Sequence, residues 1–290
     1  MTERCGLKNV ERLEKFWHNL VLTFPLAKDV NGAVVTCYPE VPFYFFNHAA
    51  DINVNEDEAE KLLNKVTKHF VSKESPYIWF RVSPLTRPRS FTSLLEDHGF
   101  ERDEEESVMV FKGKQVEDKL NPEVKVKEIS ESEIDIYNKL SLTSFEMPIE
   151  WKKGVNRLIP ESMRKGLKCY LAYVEGKPVG TCALFSSMQT GGIFIVGTLK
   201  EYRRRGVGTT LTVHAVMDSI KEGNNLHTLQ AEKGGNAERL YRKIGFETDH
   251  TVSWFVKKLK GKDRVSIIPY PTNIQDSYTT SSHSLQKKTF

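Results

Sequence analysis

The chain has 290 residues, which is enough for two domains of about 100 to 200 residues each. Hydrophobic residues make up 39% of the chain and charged residues 28%, with a net charge of only +4, so a disordered polyelectrolyte and a small disulfide-stapled module are excluded. The longest apolar stretches, such as 41–46 and 193–196, are far shorter than the roughly 20 residues of a membrane-spanning helix, and we expect no such helix.

The first segment, residues 1–115, is expected to form a domain of its own. The apolar stretch 20–27 is short, contains Pro25 and lacks a small-residue cleavage site, so it does not resemble a secretory signal. The acidic run 104–106 is interpreted as a loop before a strand. The remaining patterns predict, in chain order, a helix over 56–73, a strand over 77–82, a helix over 91–95 and a strand over 108–111.

A turn-rich, charged stretch, 113–123 (GKQVEDKLNPE), is predicted to link this domain to a second one over 124–258. The second domain mixes strands and helices through hairpin and crossover connections, which predicts an α/β fold. Residues 259–290 are basic and poor in apolar periodicity, so we expect a flexible tail in which only 265–268 has strand character. Strands are predicted over 124–129, 168–173, 179–186, 193–198, 226–231 and 252–256, and helices over 131–145, 151–159, 207–221 and 237–244.

Cysteine content and charge distribution narrow the class of partners. The four cysteines form no CxxC pair and no Cys/His cluster at metal spacing, so we expect reduced thiols, no metal and a cytoplasmic protein. Residues 1–123 carry 16 Lys and Arg against 21 Asp and Glu, whereas 124–290 carry 26 against 17. The second half is therefore basic and suits a polyanion, which would be a nucleic acid, an anionic lipid or a phosphorylated cofactor.

Two short matches suggest an internal duplication. The dipeptide Gly-Phe occurs at 99–100 and at 245–246, each time where a helix gives way to a strand, and the phenylalanine lies six residues after a leucine. The alternative is ordinary helix capping by glycine together with a hydrophobic contact, which needs no common origin.

The stretch 197–211 (GTLKEYRRRGVGTTL) lies between a predicted strand and a predicted helix. Gly206 and Gly208 remove side chains where the helix begins, so backbone N–H groups are free to point at an anion, and the helix dipole favours negative charge there. Three arginines at 203–205 add positive potential. The stretch predicts a phosphate-binding turn, although glycines at a helix entry are also common in purely structural turns.

Two motifs together resemble the GNAT superfamily of acetyl-CoA-dependent N-acetyltransferases. One is RxxGxG at 203–208, and the other is NAERLYRKIGF at 236–246, with a helical tyrosine and a Gly-Phe end. A Walker loop fits worse because GK[ST] is absent, and a Rossmann fingerprint fits worse because no GxGxxG follows the strand. The resemblance covers 124–258 and implies a mixed central sheet flanked by helices. It also implies that 1–115 is a degenerate tandem copy without cofactor binding, because 51–57 is acidic and lacks glycine.

The resemblance implies acetyl-CoA as the co-substrate and assigns its contacts by position. The strand backbone at Val196, Gly197 and Thr198 would bind the pantetheine arm. Tyr241 takes the place of the family tyrosine that protonates the departing CoA thiolate; the alternative is a tyrosine that only packs in its helix. The pyrophosphate would lie on the turn formed by Arg203, Arg204, Arg205, Gly206, Val207, Gly208 and Thr209.

The sequence departs from the family pattern at two places. An asparagine of the second motif is replaced by Gly234, with Asn236 nearby. The strand glutamate that serves many relatives as general base is absent from 191–198, and Glu232 and Glu146 are substitutes by location only. A strand N–H, that of Val196, would still stabilise a developing oxyanion, and weakly basic amines would best tolerate the missing base.

The preferred hypothesis is an acetyl-CoA-dependent N-acetyltransferase that moves an acetyl group to a primary amine by direct attack on the thioester. The alternative is a non-catalytic CoA-sensing or partner-binding protein. Nucleic-acid binding through 203–205 is weaker, because no aromatic residues are interleaved with the arginines. The sequence does not specify the acceptor or its size, and the family's acceptor pocket would be lined by Phe145, Glu146, Met147 and Trp151.

Overall fold

A computed structural model describes residues 2–113 and 117–259, and within them the chain forms seven α-helices and eleven β-strands. The predicted tail, including its strand at 265–268, lies outside the described residues apart from Leu259. The helices are α1 (Thr2–Val21), α2 (Ala59–Ser72), α3 (Phe91–Asp97), α4 (Ile134–Ser144), α5 (Lys152–Arg164), α6 (Val207–Lys221) and α7 (Asn236–Ile244). The strands are β1 (Lys28–Asp29), β2 (Val34–Cys37), β3 (Asn47–Ala50), β4 (Tyr77–Val82), β5 (Glu101–Phe111), β6 (Lys125–Glu128), β7 (Lys168–Val174), β8 (Lys177–Ser187), β9 (Thr190–Thr198), β10 (Leu226–Glu232) and β11 (Phe246–Lys258).

All eleven strands form one mixed sheet in the order β1-β2-β3-β4-β11-β5-β10-β9-β8-β7-β6. The last strand of each segment lies inside the other segment's part of the sheet: β5 pairs with β10 and β11, and β11 pairs with β4 and β5. Helices α2, α3, α6 and α7 cover one face, and α1, α4 and α5 cover the other. The mixed α/β fold is confirmed, and the two segments share one sheet.

Helix α1 was not predicted, and neither were β1, β2 and β3. The buried side chains of α1 recur at helical spacing and cover the middle of the sheet, where α1 contacts β2, β8 and β11. The Phe16 ring stacks on Phe194 of β9, with ring centroids 6.2 Å apart. The spacing was readable in the sequence, since the buried residues are Leu13, Phe16, Trp17, Leu20 and Val21.

The predicted elements of the second segment are all present, and α6 has the predicted bounds. Helix α5 continues through Pro160 to Arg164, beyond the predicted end at 159. The prediction of a loop at 104–106 was wrong, because β5 begins at Glu101 and the acidic run lies within it. The carboxylates are accommodated there because Glu105 pairs with Arg102 and Lys233, while Glu106 accepts hydrogen bonds from neighbouring side chains.

Residues 117–121, which belong to the predicted linker, contact the end of α7 and the start of α6. The Lys119 Nζ donates to the carbonyl oxygens at the end of α7, at 3.0 Å and 2.9 Å. The Asn121 side-chain amide donates to the carbonyl of Arg205 at 2.9 Å, and its backbone N–H donates to the hydroxyl of Thr210 at 3.0 Å. The domain boundary placed in this stretch stays a prediction, but the stretch itself supports the glycine turn.

A buried ionic cluster joins α1 to the sheet. The Glu14 carboxylate accepts hydrogen bonds from Arg81 of β4, at 2.5 Å and 3.0 Å, and lies 3.0 Å from the Nε2 of His250 of β11. The Arg81 guanidinium also lies 4.4 Å from the ring centroid of Trp17. Burial alone would raise the pKa of Glu14, but Arg81 and His250 outweigh it and lower that pKa from 4.5 to about 2.

We expect Glu14→Gln to lower the free energy of unfolding by about 3 to 5 kcal/mol, because it leaves the buried Arg81 charge uncompensated. The matched control is Glu40→Gln, which removes an exposed ion pair with Arg157 and should cost less than about 1 kcal/mol. Urea unfolding measures both. Since the folded-state pKa of Glu14 is depressed, its contribution in the wild-type protein should be lost as the pH falls from 4.5 towards about 2. Equal losses in the two variants would contradict this role.

Candidate active site

The site begins where two parallel strands separate. Pairing of β9 with β10 ends at Ile193 and Leu229, and beyond these residues the strands diverge. At Ile195 the backbone takes φ +54°, and the β8–β9 register shifts beside it. A β-branched residue rarely adopts this conformation, so the bulge marks a functional constraint on the strand. A cavity of about 610 Å³ is lined by both diverging ends, 193–198 and 230–231.

The glycine turn forms part of the wall of this cavity. Gly206 precedes α6 with φ +75°, and Arg204 has φ +66°. The first N–H groups of a helix have no intrahelical acceptor, and those of Val207, Gly208 and Thr209 belong to residues that line the cavity. A glycine at the left-handed position costs least, and Asn121 holds the carbonyl of the preceding residue. This arrangement fits an anion at the start of α6.

The three arginines have different roles. The Arg203 guanidinium donates to the carbonyl of Ser144 at 2.9 Å and lies 3.6 Å from the Glu146 carboxylate, so it fastens the loop after α4 to the end of β9. Arg204 lines the cavity. Arg205 does not line the cavity, and its guanidinium lies 5.3 Å from the ring centroid of Tyr202. All the other predicted cofactor residues lie in the cavity wall, which the structure therefore brings together.

Tyr241 of α7 also lines the cavity. It is buried at 7% exposure, and its ring centroid lies 6.1 Å from that of Phe246. Burial raises the pKa of Tyr241 above the usual value of 10, so the phenol keeps its proton at neutral pH and can donate it. Asn236 lines the same wall, whereas the N–H of Gly234 donates to Glu238 at 2.6 Å and shapes the start of α7.

Two positions of the strand that lacks the expected glutamate, Gly191 and Gly192, are closed to side chains. A Cβ atom on Gly192 would lie 2.4 Å from the Phe16 ring of α1, and one on Gly191 would lie 1.8 Å from the Ser219 hydroxyl. Neither position has room for a side chain. Of the two proposed substitutes, Glu146 lines the cavity beside Arg203, but Glu232 does not line it.

A carboxylate that the sequence analysis missed lies in the cavity wall. Glu106 of β5 is 2% exposed. The Tyr44 hydroxyl donates to its Oε1 at 3.0 Å, and the Trp254 indole N–H donates to its Oε2 at 2.9 Å. Reading 104–106 as a loop hid this residue. The apolar stretch that follows it, SVMVF, was the signal for a longer strand.

The cavity wall combines both segments. Phe145, Glu146 and Met147 line it, whereas Trp151 lies in the adjoining hydrophobic core. Their role towards an acceptor stays a prediction. No cluster of metal-ligating side chains occurs among residues 2–113 and 117–259. In the same residues no helix is both long and apolar enough to span a bilayer. The first segment contributes Trp17, Val41, Phe43, Tyr44, Phe45, Phe46 and Glu106 to the wall.

Comparisons with known proteins agree with this geometry. The acetyltransferase (GNAT) domain family matches residues 165–248. The N-alpha-acetyltransferase MAK3 of Arabidopsis thaliana is 32% identical over 126 residues, which are 39% of this chain and 66% of that protein. The GCN5-related N-acetyltransferase of Kribbella flavida has a TM-score of 0.63 at 17% identity, over 87% of this chain and 96% of that one. A tandem GNAT protein from the clavulanic acid biosynthesis pathway has a TM-score of 0.55 at 12% identity, over 74% and 76%.

A mixed sheet with two parallel strands separating above a glycine-rich helix start defines a GNAT-like α/β fold, and the solved structures share it. Residues 165–248 match the GNAT acetyltransferase domain, and the chain is similar to an N-alpha-acetyltransferase in sequence. These matches support a GNAT superfamily acetyltransferase. The chain spans 66% of the length of the Arabidopsis relative, which is less than two thirds.

Proposed function

We propose that this protein is an acetyl-CoA-dependent N-acetyltransferase that moves an acetyl group to a primary amine. The observation that carries the proposal is that one cavity is lined by the diverging ends of β9 and β10, by the glycine turn of α6 and by the buried Tyr241. A site for a CoA thioester must bind a diphosphate, a linear arm and the reacting thioester, and these parts meet those three needs. They come from four separate elements, β9, β10, α6 and α7, so chance proximity of a single motif does not explain them.

The residues present fit acetyl-CoA. The N–H groups at the start of α6 would hold the pyrophosphate, with Arg204 beside them. The unpaired edge of β9 at Val196, Gly197 and Thr198 would bind the pantetheine arm, since β10 no longer occupies that edge. Position 197 requires glycine, because a Cβ atom there would lie 2.9 Å from the Ser144 side chain.

The chemistry assigned to this chain is positioning and proton transfer. Acetyl-CoA supplies an activated acyl group as a thioester. The backbone N–H of Val196 would stabilise the charge that develops on the carbonyl oxygen, and such a donor contributes roughly 3 to 4 kcal/mol at comparable sites. Tyr241 would protonate the leaving thiolate, since its raised pKa keeps the phenol in the donating form.

The acceptor is proposed to be small. The Arabidopsis relative is named an N-alpha-acetyltransferase. Here, however, the first segment closes the acceptor side of the cavity with an aromatic wall that includes Trp17, Tyr44 and Phe45. A compact amine fits this wall better than a protein chain. We also place the protein in the cytoplasm, because three described cysteines are buried, free thiols, as expected in a reducing compartment.

We expect acetyl-CoA to raise the melting temperature of the wild-type protein and Gly206→Glu to abolish this shift, because the new carboxylate would occupy the anion turn. The matched control is Gly223→Glu at the other end of the same helix. Gly223 has φ +82° against +75° at Gly206, so both variants carry similar backbone strain. Thermal unfolding with and without acetyl-CoA measures the effect. A full shift in Gly206→Glu would show that the cofactor binds elsewhere.

We expect Tyr241→Phe to lower kcat by about 10²-fold or more while leaving the dissociation constant for acetyl-CoA unchanged, because the variant loses only a proton donor. The control is Tyr170→Phe, which removes a hydroxyl that donates to Asp218 outside the cavity. A free-thiol assay and calorimetry measure the two quantities. Unchanged turnover would remove Tyr241 from the reaction, and no turnover by the wild-type protein would favour a CoA-sensing role.

A further inference from the structure

The cavity wall carries charges of both signs. The second segment contributes Arg203, Arg204, Arg239 and Lys243, together with Glu146, which lies 3.6 Å from Arg203. The wall contributed by the first segment carries a single charged residue, Glu106, among apolar and aromatic side chains. Glu232 of β10 is paired in register with Glu106, so the partner residue on the neighbouring strand is also acidic. The basic residues suit phosphates, and the carboxylate of the first segment suits a cation.

We propose that Glu106, supplied by the first segment, binds the ammonium group of a small apolar amine and removes its proton, so that β5 completes the active site of the second segment. This inference rests on the proposed function and deepens it. The stretch 191–198 of β9 offers no carboxylate, and at Gly192 a Cβ atom would lie 2.4 Å from the Phe16 ring of α1. A carboxylate that enters the same cavity from the neighbouring segment takes the place of the missing one.

The surroundings of Glu106 fit this role. The Tyr44 hydroxyl and the Trp254 indole fix the two carboxylate oxygens, and neither donor carries a charge that would neutralise the carboxylate. Aromatic faces attract cations, and Tyr44 and Phe45 line the same wall. An amino acid acceptor would bring its own carboxylate next to Glu106, which like-charge repulsion disfavours. The substrate class is therefore a primary amine with an apolar body and no adjacent carboxylate.

The protons balance over the reaction. The ammonium loses one proton to Glu106, and the nitrogen lone pair then forms the C–N bond as the C–S bond of the thioester breaks. The thiolate takes the proton of Tyr241, and the second proton of the nitrogen restores the Tyr241 phenol. The proton held by Glu106 leaves to solvent, so the net products are an amide, a free thiol and one proton.

The test uses Glu106→Gln, which keeps the shape of the side chain but not its basicity. With phenethylamine as acceptor, kcat/KM should fall by about 10²- to 10⁴-fold near neutral pH, and the deficit should shrink as rising pH supplies more free amine. A purely structural role would give no such recovery. The control is Glu104→Gln on the same strand: burial raises the pKa of Glu104 to about 8, so glutamine resembles its neutral form, and turnover should stay near that of the wild type.

Binding gives a second readout that does not depend on turnover. Calorimetric titration of the CoA-saturated wild-type protein should show phenethylamine binding at least about 10-fold more tightly than phenylalanine, because the two differ by one carboxylate. Glu106→Gln should lose this preference. If that variant fails to fold, Tyr44→Phe replaces it: losing a donor to the carboxylate should move the acidic limb of the pH profile of kcat/KM to higher pH.

The outcomes separate this inference from the proposed function. A wild-type protein that is not stabilised by acetyl-CoA would contradict the proposed function itself. A wild-type protein that binds acetyl-CoA but prefers phenylalanine, or neither binds nor acetylates phenethylamine, would overturn the inference alone. Wild-type turnover in Glu106→Gln, or an unmoved pH profile in Tyr44→Phe, would do the same.

Discussion

The structure depends on the pairing of β5 along both of its edges. Because β5 lies between β10 and β11, and β11 lies between β4 and β5, neither segment can complete its sheet alone. The strand order has the same form on both sides of its centre, where a parallel pair, β3 with β4 or β9 with β10, adjoins the exchanged terminal strand of the other segment. An exchanged pair of this kind is what a duplicated fold would form when its two copies share one sheet, and it supports the duplication hypothesis alongside the two Gly-Phe junctions.

The exchange has a chemical consequence, because it sets a residue of the first segment against the reactive cavity of the second. Glu106 is in register with Glu232 at the edge of β10 that faces away from β9. The first segment lacks an anion turn of its own, since its stretch 51–57 is acidic. Its contributions are instead α1, which covers the middle of the sheet, and the aromatic stretch 43–46, which closes the acceptor side.

The helices, strands and glycine turns of the second segment could be predicted because the sequence patterns that indicate them are local. Gly206 and Gly245 were both placed at helix ends from the sequence, and in the structure both adopt left-handed conformations there. The role of Arg203 could not be predicted, because the carbonyl that it contacts belongs to Ser144 at the end of α4. Glu106 was missed for the same reason: whether an acidic residue is solvated in a loop or buried in a central strand depends on strands more than 100 residues away.

Three features of the structure depend on one another: β9 lacks a glutamate, α1 covers the sheet, and β5 is inserted between β10 and β11. A side chain at Gly192 is incompatible with Phe16, so a chain that keeps α1 over the sheet cannot also keep a carboxylate there. Helix α1 is held in place by the buried Glu14–Arg81 pair, and Arg81 belongs to β4, which adjoins β11. Any change that loosens this cluster would disturb the covering helix and the strand that carries Trp254, a donor to Glu106. The first segment thus contacts the site through packing, hydrogen bonding and charge. This explains how a segment that has no anion-binding turn of its own still contributes to the cavity.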